Sequence, residues 1–296
     1  MNNLLTFLLL LIVLLGCKNE STQMDFLTEK VPDSTPLEFK PELIPDNKII
    51  HKGIFSPDLK EYYFTISDTS FENFDVYKIE KTSGSWSAPE KAFFNSEHNE
   101  HGMSFTPDGK SIYFSSTRPV NKEGIESTWH IWKSDKINGK WTVPTFVDIP
   151  NLRDKLVSHP TVANSGTLYF HSSNLDYSEM DIYRSTEIDG KYSYAIKVPI
   201  TMNDKVGKCT PFISPKEDFI IFATIGNQLD LMISFNAGNG KFMNTRKLKS
   251  VINEFGQGNP YVTPDNKFLF YTTGDYNEKK WRVKWVEIQS ELKRNK

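Results

Sequence analysis

The sequence predicts an all-β protein, a five-bladed β-propeller of four-stranded antiparallel blades. Three observations carry that expectation. A hairpin-shaped segment recurs five times along the 296 residues, further strand-like runs follow each copy, and aromatic residues make up 13% of the chain. A repeat of this length is one supersecondary unit that cannot bury its apolar face alone, so neighbouring units must pack together.

The hairpins read IFSPDLKEYYFTIS from Ile54, SFTPDGKSIYFSS from Ser104, TVANSGTLYFHSS from Thr161, FISPKEDFIIFAT from Phe212 and YVTPDNKFLFYTT from Tyr261. Aligned on Phe64, Phe114, Phe170, Phe222 and Phe270, they are spaced by 50, 56, 52 and 48 residues. Proline followed by Asp or Asn suits the centre of a type I turn, and Gly109 or Gly166 can take the positive φ that follows. A third run alternates apolar and charged residues, starting at Asp75, His130, Asp181, Asp230 and Arg282. A fourth opens with Gly and a ring, at Trp86, Trp141, Tyr192 and Phe242. Four strands per repeat of this length indicate a propeller blade. The fifth unit stops after its third strand, and Phe39 to Ile44 stands where the missing strand would come from. Pairing the chain ends would close the ring and cover exposed strand edges. A six-bladed alternative would need a sixth hairpin.

Ahead of the repeats, Leu4 to Leu15 is apolar apart from Thr6. Its dozen or so residues fall short of the roughly 20 that span a bilayer but match the core of a signal peptide. The stretch ends in Leu14-Leu15-Gly16-Cys17 and then turns polar, which resembles the lipobox of bacterial lipoproteins. That resemblance implies acylation of Cys17, cleavage before it and a firm anchor, because two or more acyl chains hold where one does not. The expected division is a signal peptide at 1–16, a lipid-anchored flexible tether at 17–37 and one propeller domain at 38–296. Met1-Asn2-Asn3 departs from the pattern in carrying no Lys or Arg.

The Ser/Thr-Pro-Asp-Gly-Lys turn leading into Ile-Tyr-Phe-Ser-Ser resembles the TolB-like (WD-like) propeller repeat. So do Asp181-Ile182-Tyr183, the Trp-x-x-Pro pairs from Trp86 and Trp141, and Asn95 with Glu97 and Glu100. The likeness covers residues 40 to 290 or so. Units three and four depart from it, with Asn164-Ser165-Gly166 and Pro215-Lys216-Glu217. The resemblance implies an envelope protein, anchored by lipid in an outer membrane and facing the periplasm or the cell surface. It binds other macromolecules, and no reaction is implied.

A formal net charge of −2, from 35 basic and 37 acidic residues, excludes a broad nucleic-acid surface. No nucleophile elbow, H-E-x-x-H, C-x-x-C or phosphate loop is present. Residues at the start of the first strands should converge on the central channel, namely His51, His101, His159, Cys209 and the stretch Gln257 to Asn259. Imidazoles and a thiol suit zinc or copper, so a divalent metal is the candidate cofactor. Asp68, Glu126, Asp176 and Glu179, in loops between second and third strands, are candidate acids for glycoside hydrolysis. The leading expectation is a non-catalytic binding or scaffold module for a protein or glycan partner. The alternative is a metal-assisted polysaccharide lyase or hydrolase with its site in the funnel.

Overall fold

The computed structural model describes residues 29–202, 205–275 and 280–293. Cys17 and the lipobox lie outside the described residues. Five antiparallel sheets follow one another along the chain, as the repeats require. Blade 1 comprises Lys48–Phe55, Glu61–Asp68 and Asp75–Thr82, blade 2 Glu100–Phe105, Ser111–Ser116 and His130–Ile137. Blade 3 comprises Leu156–Val162, Thr167–Ser173 and Asp181–Ile188, blade 4 Gly207–Ile213, Phe219–Ile225 and Leu229–Asn236. Blade 5 comprises Gly256–Val262, Phe268–Asp275 and Lys280–Glu287.

The fourth strands divide the blades. In blades 1 to 3 each is split into two short pieces, such as Ser85–Trp86 and Glu90–Lys91, that pair with the same third strand. Pro89 and Pro144 sit in two of these breaks, where a residue without an N–H cannot continue a ladder. Blade 4 keeps one longer strand, Phe242–Lys247.

Ring closure is made by the N-terminal segment, one step earlier than Phe39 to Ile44. Leu37 pairs with Trp285 and Glu38 with Lys284, and the Phe39 N–H bonds the Val283 carbonyl at 2.8 Å. Beyond that, Pro41–Leu43 forms a 3₁₀ turn, because Pro41 has no donor for the ladder. Already at Asp33 the carbonyl accepts the Glu287 N–H at 3.0 Å. Phe39 then inserts edge-on among Phe55, Tyr62, Phe270 and Trp285 at centroid distances of 5.0 to 6.0 Å. Such edge-to-face pairs match positive ring edges to negative faces and add about 0.5–1.5 kcal/mol each beyond burial.

The anchor rings Phe64, Phe114, Phe170, Phe222 and Phe270 are all buried, so much of the aromatic content is packing. In blade 5 the register pairs Phe270 with Tyr261, as Tyr63 pairs with Ile54. Tyr271, not Phe270, is therefore the equivalent of Phe64. Each turn closes as expected: Gly109 donates to the Thr106 carbonyl and Gly166 to the Ala163 carbonyl, both with positive φ.

Neighbouring blades are joined by a repeated backbone bond at one end of the ring. The carbonyls of Phe74, Trp129 and Met180, each just before a third strand, accept from Glu100, Val157 and Lys208 of the next blade. Asn95 has a structural task as well. Its side chain both accepts from and donates to the backbone of Val76, and Asn253 does the same at Leu231.

Candidate functional site at the channel mouth

Every first strand carries a bulge near its middle, marked by a register shift between Ile50 and Gly53, His101 and Ser104, Ser158 and Thr161, Cys209 and Phe212, and Gly258 and Tyr261. A bulge inserts an unpaired residue and re-aims the side chains beside it. Counted back from the turns, Lys52, Gly102, His159, Thr210 and Asn259 are equivalent. The last four have positive φ, between 45° and 60°. This explains the one-residue offset of His159 from His51 and His101: it occupies the bulge position and they precede it.

On the face where second strands connect to third, rings form a continuous arc. Trp281 meets Phe71 at 6.0 Å, Phe71 meets His51 at 5.9 Å and His51 meets Phe74 at 4.9 Å, between centroids. Phe74 contacts Trp129 at 5.8 Å, and His101 lies 4.1 Å from Trp129. His101 and His159 are 4.4 Å apart, and His159 and His171 4.7 Å. Three of the four expected channel residues, His51, His101 and His159, therefore stand together in this arc.

Cys209 does not join them. It is buried in the core between blades 4 and 5 with Phe219, Leu231 and Ile252, and burial pushes its thiol up to about 12. It behaves as a small apolar side chain. Gln257 is fully buried beside Thr273, and the Asn259 N–H donates to Thr210 Oγ1 at 3.3 Å.

A hydroxyl holds most of the imidazoles. Ser67 Oγ lies 2.7 Å from His51 Nε2. Ser158 Oγ lies 3.1 Å from His101 Nε2 and 3.0 Å from His159 Nδ1, and bonds Ser115 Oγ at 3.0 Å. The Thr210 N–H donates to His171 Nδ1 at 3.1 Å. Loss of hydration disfavours imidazolium, so burial lowers His51 to about 4 and His171 to about 3, and holds His101 and His159 well below the ordinary value. The mouth is consequently a neutral, polarisable surface at physiological pH. Among the described residues, no three His, Cys, Asp or Glu side chains are grouped to hold a metal ion.

The loop carboxylates turn to their own backbone. Asp68 accepts from the Glu72 N–H, Ser70 Oγ and Asn73 Nδ2 at 2.7 to 2.8 Å, and those bonds lower it to about 2. Asp176 accepts twice from Ser178. Glu126 and Glu179 are exposed, and the Glu126 carbonyl, not its carboxylate, meets His130.

His171, Phe71, Phe74, Trp129 and Trp281 were not among the sequence-based candidates. Two of them carried a readable signal. Phe74, Trp129 and Met180 each precede a third strand by one residue, so the large side chain there is itself a repeat feature. His171 gave no such signal, since its fellows one residue past the anchor ring include Thr65, Ser115 and Ala223.

This architecture is a five-bladed β-propeller whose fold is similar to that of TolB structures. Among solved structures, the putative TolB from Agrobacterium tumefaciens superposes with a TM-score of 0.54 at 14% identity, over 88% of this chain and 86% of that one. TolB from Acinetobacter baumannii superposes at 0.52 with 16% identity over 82% of this chain. The chain spans 55% of the Acinetobacter protein's length. An oligogalacturonate lyase from Vibrio parahaemolyticus has a TM-score of 0.43 at 10% identity, covering 89% of this chain and 97% of that one. No protein-family model matches the sequence, and no curated protein matches it.

Proposed function

We propose that this chain is a non-catalytic binding module of the bacterial cell envelope, tethered through a lipid on Cys17, whose channel mouth takes a glycan. The observation that carries the reading is the arc from Trp281 through Phe74 and Trp129 to His171. The part-exposed rings of Phe71, Phe74 and Trp129, beside neutral imidazoles, offer apolar faces for stacking and polar edges for hydrogen bonds. The lipobox around Cys17 supports the envelope location, and the TolB-like fold agrees with it.

Trp129 is the residue to test, because it packs at an incline against His101 and is only partly buried. Trp129→Ala should lower affinity for the cognate glycan on an envelope-polysaccharide array at least tenfold while leaving the circular dichroism unchanged. A protein captured by wild type and Trp129→Ala alike, with no glycan bound by either, would replace the glycan reading with a protein partner. Metabolic labelling with a fatty-acid analogue should mark wild-type cells and not Cys17→Ala.

A metal-assisted lyase or hydrolase is the second reading, prompted by the neighbouring rings of His101, His159 and His171 although the described residues form no three-ligand group. Elemental analysis of the purified domain decides it: near-stoichiometric zinc or copper, lost in His101→Ala, supports it, and trace metal unchanged by that substitution removes it.

A further inference from the structure

The opposite end of the channel, framed by the hairpin turns, holds a separate cavity of about 260 Å³. Every blade contributes apolar residues to its wall, among them Ile54, Phe105, Val162, Phe212 and Tyr261, and its rim carries turn prolines. Lys52 is the lining residue farthest along the strands from those turns, at the blade 1 bulge position.

Lys52 is only 4% exposed. No hydrogen bond or ion pair to a described residue engages its amine, although buried lysines are seldom left unpaired. The other buried lysine makes the contrast: Lys208, 1% exposed, is bound to both oxygens of Asp181 at 3.0 and 3.2 Å. The groups within electrostatic reach of Lys52 are His101, His159 and His171, none of which supplies a negative charge. Burial without a counter-charge lowers the Lys52 amine to about 7.

We infer that this cavity binds a small amphipathic carboxylate, its single negative charge on Lys52 and its apolar body between Phe105, Phe212 and Tyr261. One cation in an apolar-walled cavity matches one anionic group. The volume sits just under the roughly 300–1,000 Å³ of sites for drug-sized ligands, which limits the body to a short chain or one ring. A bound carboxylate would supply the partner that Lys52 lacks, and the walls would remove the ligand's apolar surface from water. Phosphate esters suit the site less well, since a doubly charged group would meet one cation and no arginine fork.

Titration calorimetry with octanoate, octanol and acetate tests the assignment on the purified soluble domain. Octanoate should bind wild type, acetate and octanol should bind at least tenfold more weakly, and Lys52→Met should lose octanoate affinity at least tenfold. Lys52→Met keeps the length of the side chain and removes the unpartnered amine, so its unliganded melting temperature should equal or exceed that of wild type. Absence of octanoate binding, equal binding by Lys52→Met, or a lowered melting temperature in that variant would each overturn the inference. A second variant, Phe212→Ala, widens the wall without touching the charge and should weaken octanoate and octanol in parallel; loss of neither would also count against it.

Discussion

The two ends of the central channel are built from the same five first strands and differ in chemistry. Above the bulges stands a hydrogen-bonded arc of imidazoles and rings, with Ser158 joining His101, His159 and Ser115. Below them lies an apolar funnel with one unpaired lysine. Equivalent positions explain the contrast. The turn end repeats its residues, with proline in four of five turns, because a turn demands particular dihedrals. The residue before the bulge runs His51, His101, Ser158, Cys209, Gly258, and the bulge itself Lys52, Gly102, His159, Thr210, Asn259. The register shift is shared there while side chains vary. In this propeller, repeated residues at the turns build the blade, and the positions around the bulge are free to differ.

The sharpest way to break the mouth end is through its buried ion pair. Asp181 opens the third strand of blade 3 and holds Lys208 at the start of blade 4. Asp181→Ala leaves that ammonium buried without a counter-charge, an expected loss of about 3–5 kcal/mol in chemical denaturation. Adding Lys208→Met should restore most of it, because the uncompensated charge causes the damage.

At the waist between the two ends, Gly53 faces Tyr62. A Cβ there would come within 1.9 Å of the Tyr62 hydroxyl, and Tyr62 is fully buried against Phe39, Phe55 and Phe64. The ring has no room to yield, so Gly53→Ala should cost about 1–3 kcal/mol by overpacking. A melting temperature equal to wild type would show that the waist is looser than its contacts indicate.

The smallest effect separates the ends by pH. Histidines whose folded pKa lies below the unfolded value of about 6.5 leave the unfolded chain with more bound protons, so stability falls as pH drops from about 6.5 toward about 4. Lys52, at about 7 when folded, acts in a higher window: stability rises from about pH 7 toward its unfolded value of about 10.4. Each group contributes a slope of at most about 1.4 kcal/mol per pH unit. Melting curves should show His51→Gln flattening only the acid limb and Lys52→Met only the alkaline one. A shared response would mean that the two ends are energetically coupled.

Much of the blade was legible before the structure. Ser/Thr-Pro-Asp at the turns, alternating third strands and buried anchor rings all follow from local dihedral preference and period-two burial. The closing strand was legible in kind but displaced: Pro41 forbids the ladder where the offset had put it, so Leu37–Glu38 pairs instead. Cys209 could be placed on the right strand but not on a face, since the bulge changes which side chains turn inward. Phe74 and Trp129 were within reach as repeat features preceding third strands; His171 and Lys52 were not.

By itself the sequence determined the number of blades, the turn chemistry and most of the packing rings. Those properties are local and recur, so each copy reinforces the reading of the others. Only the tertiary structure decided which histidines share a surface, that Cys209 belongs to the core, and that Lys52 stands unpaired at the end of a cavity. These depend in part on strands from different blades meeting around an axis, as where Ser158 meets His101, 57 residues away. No local preference encodes that distance.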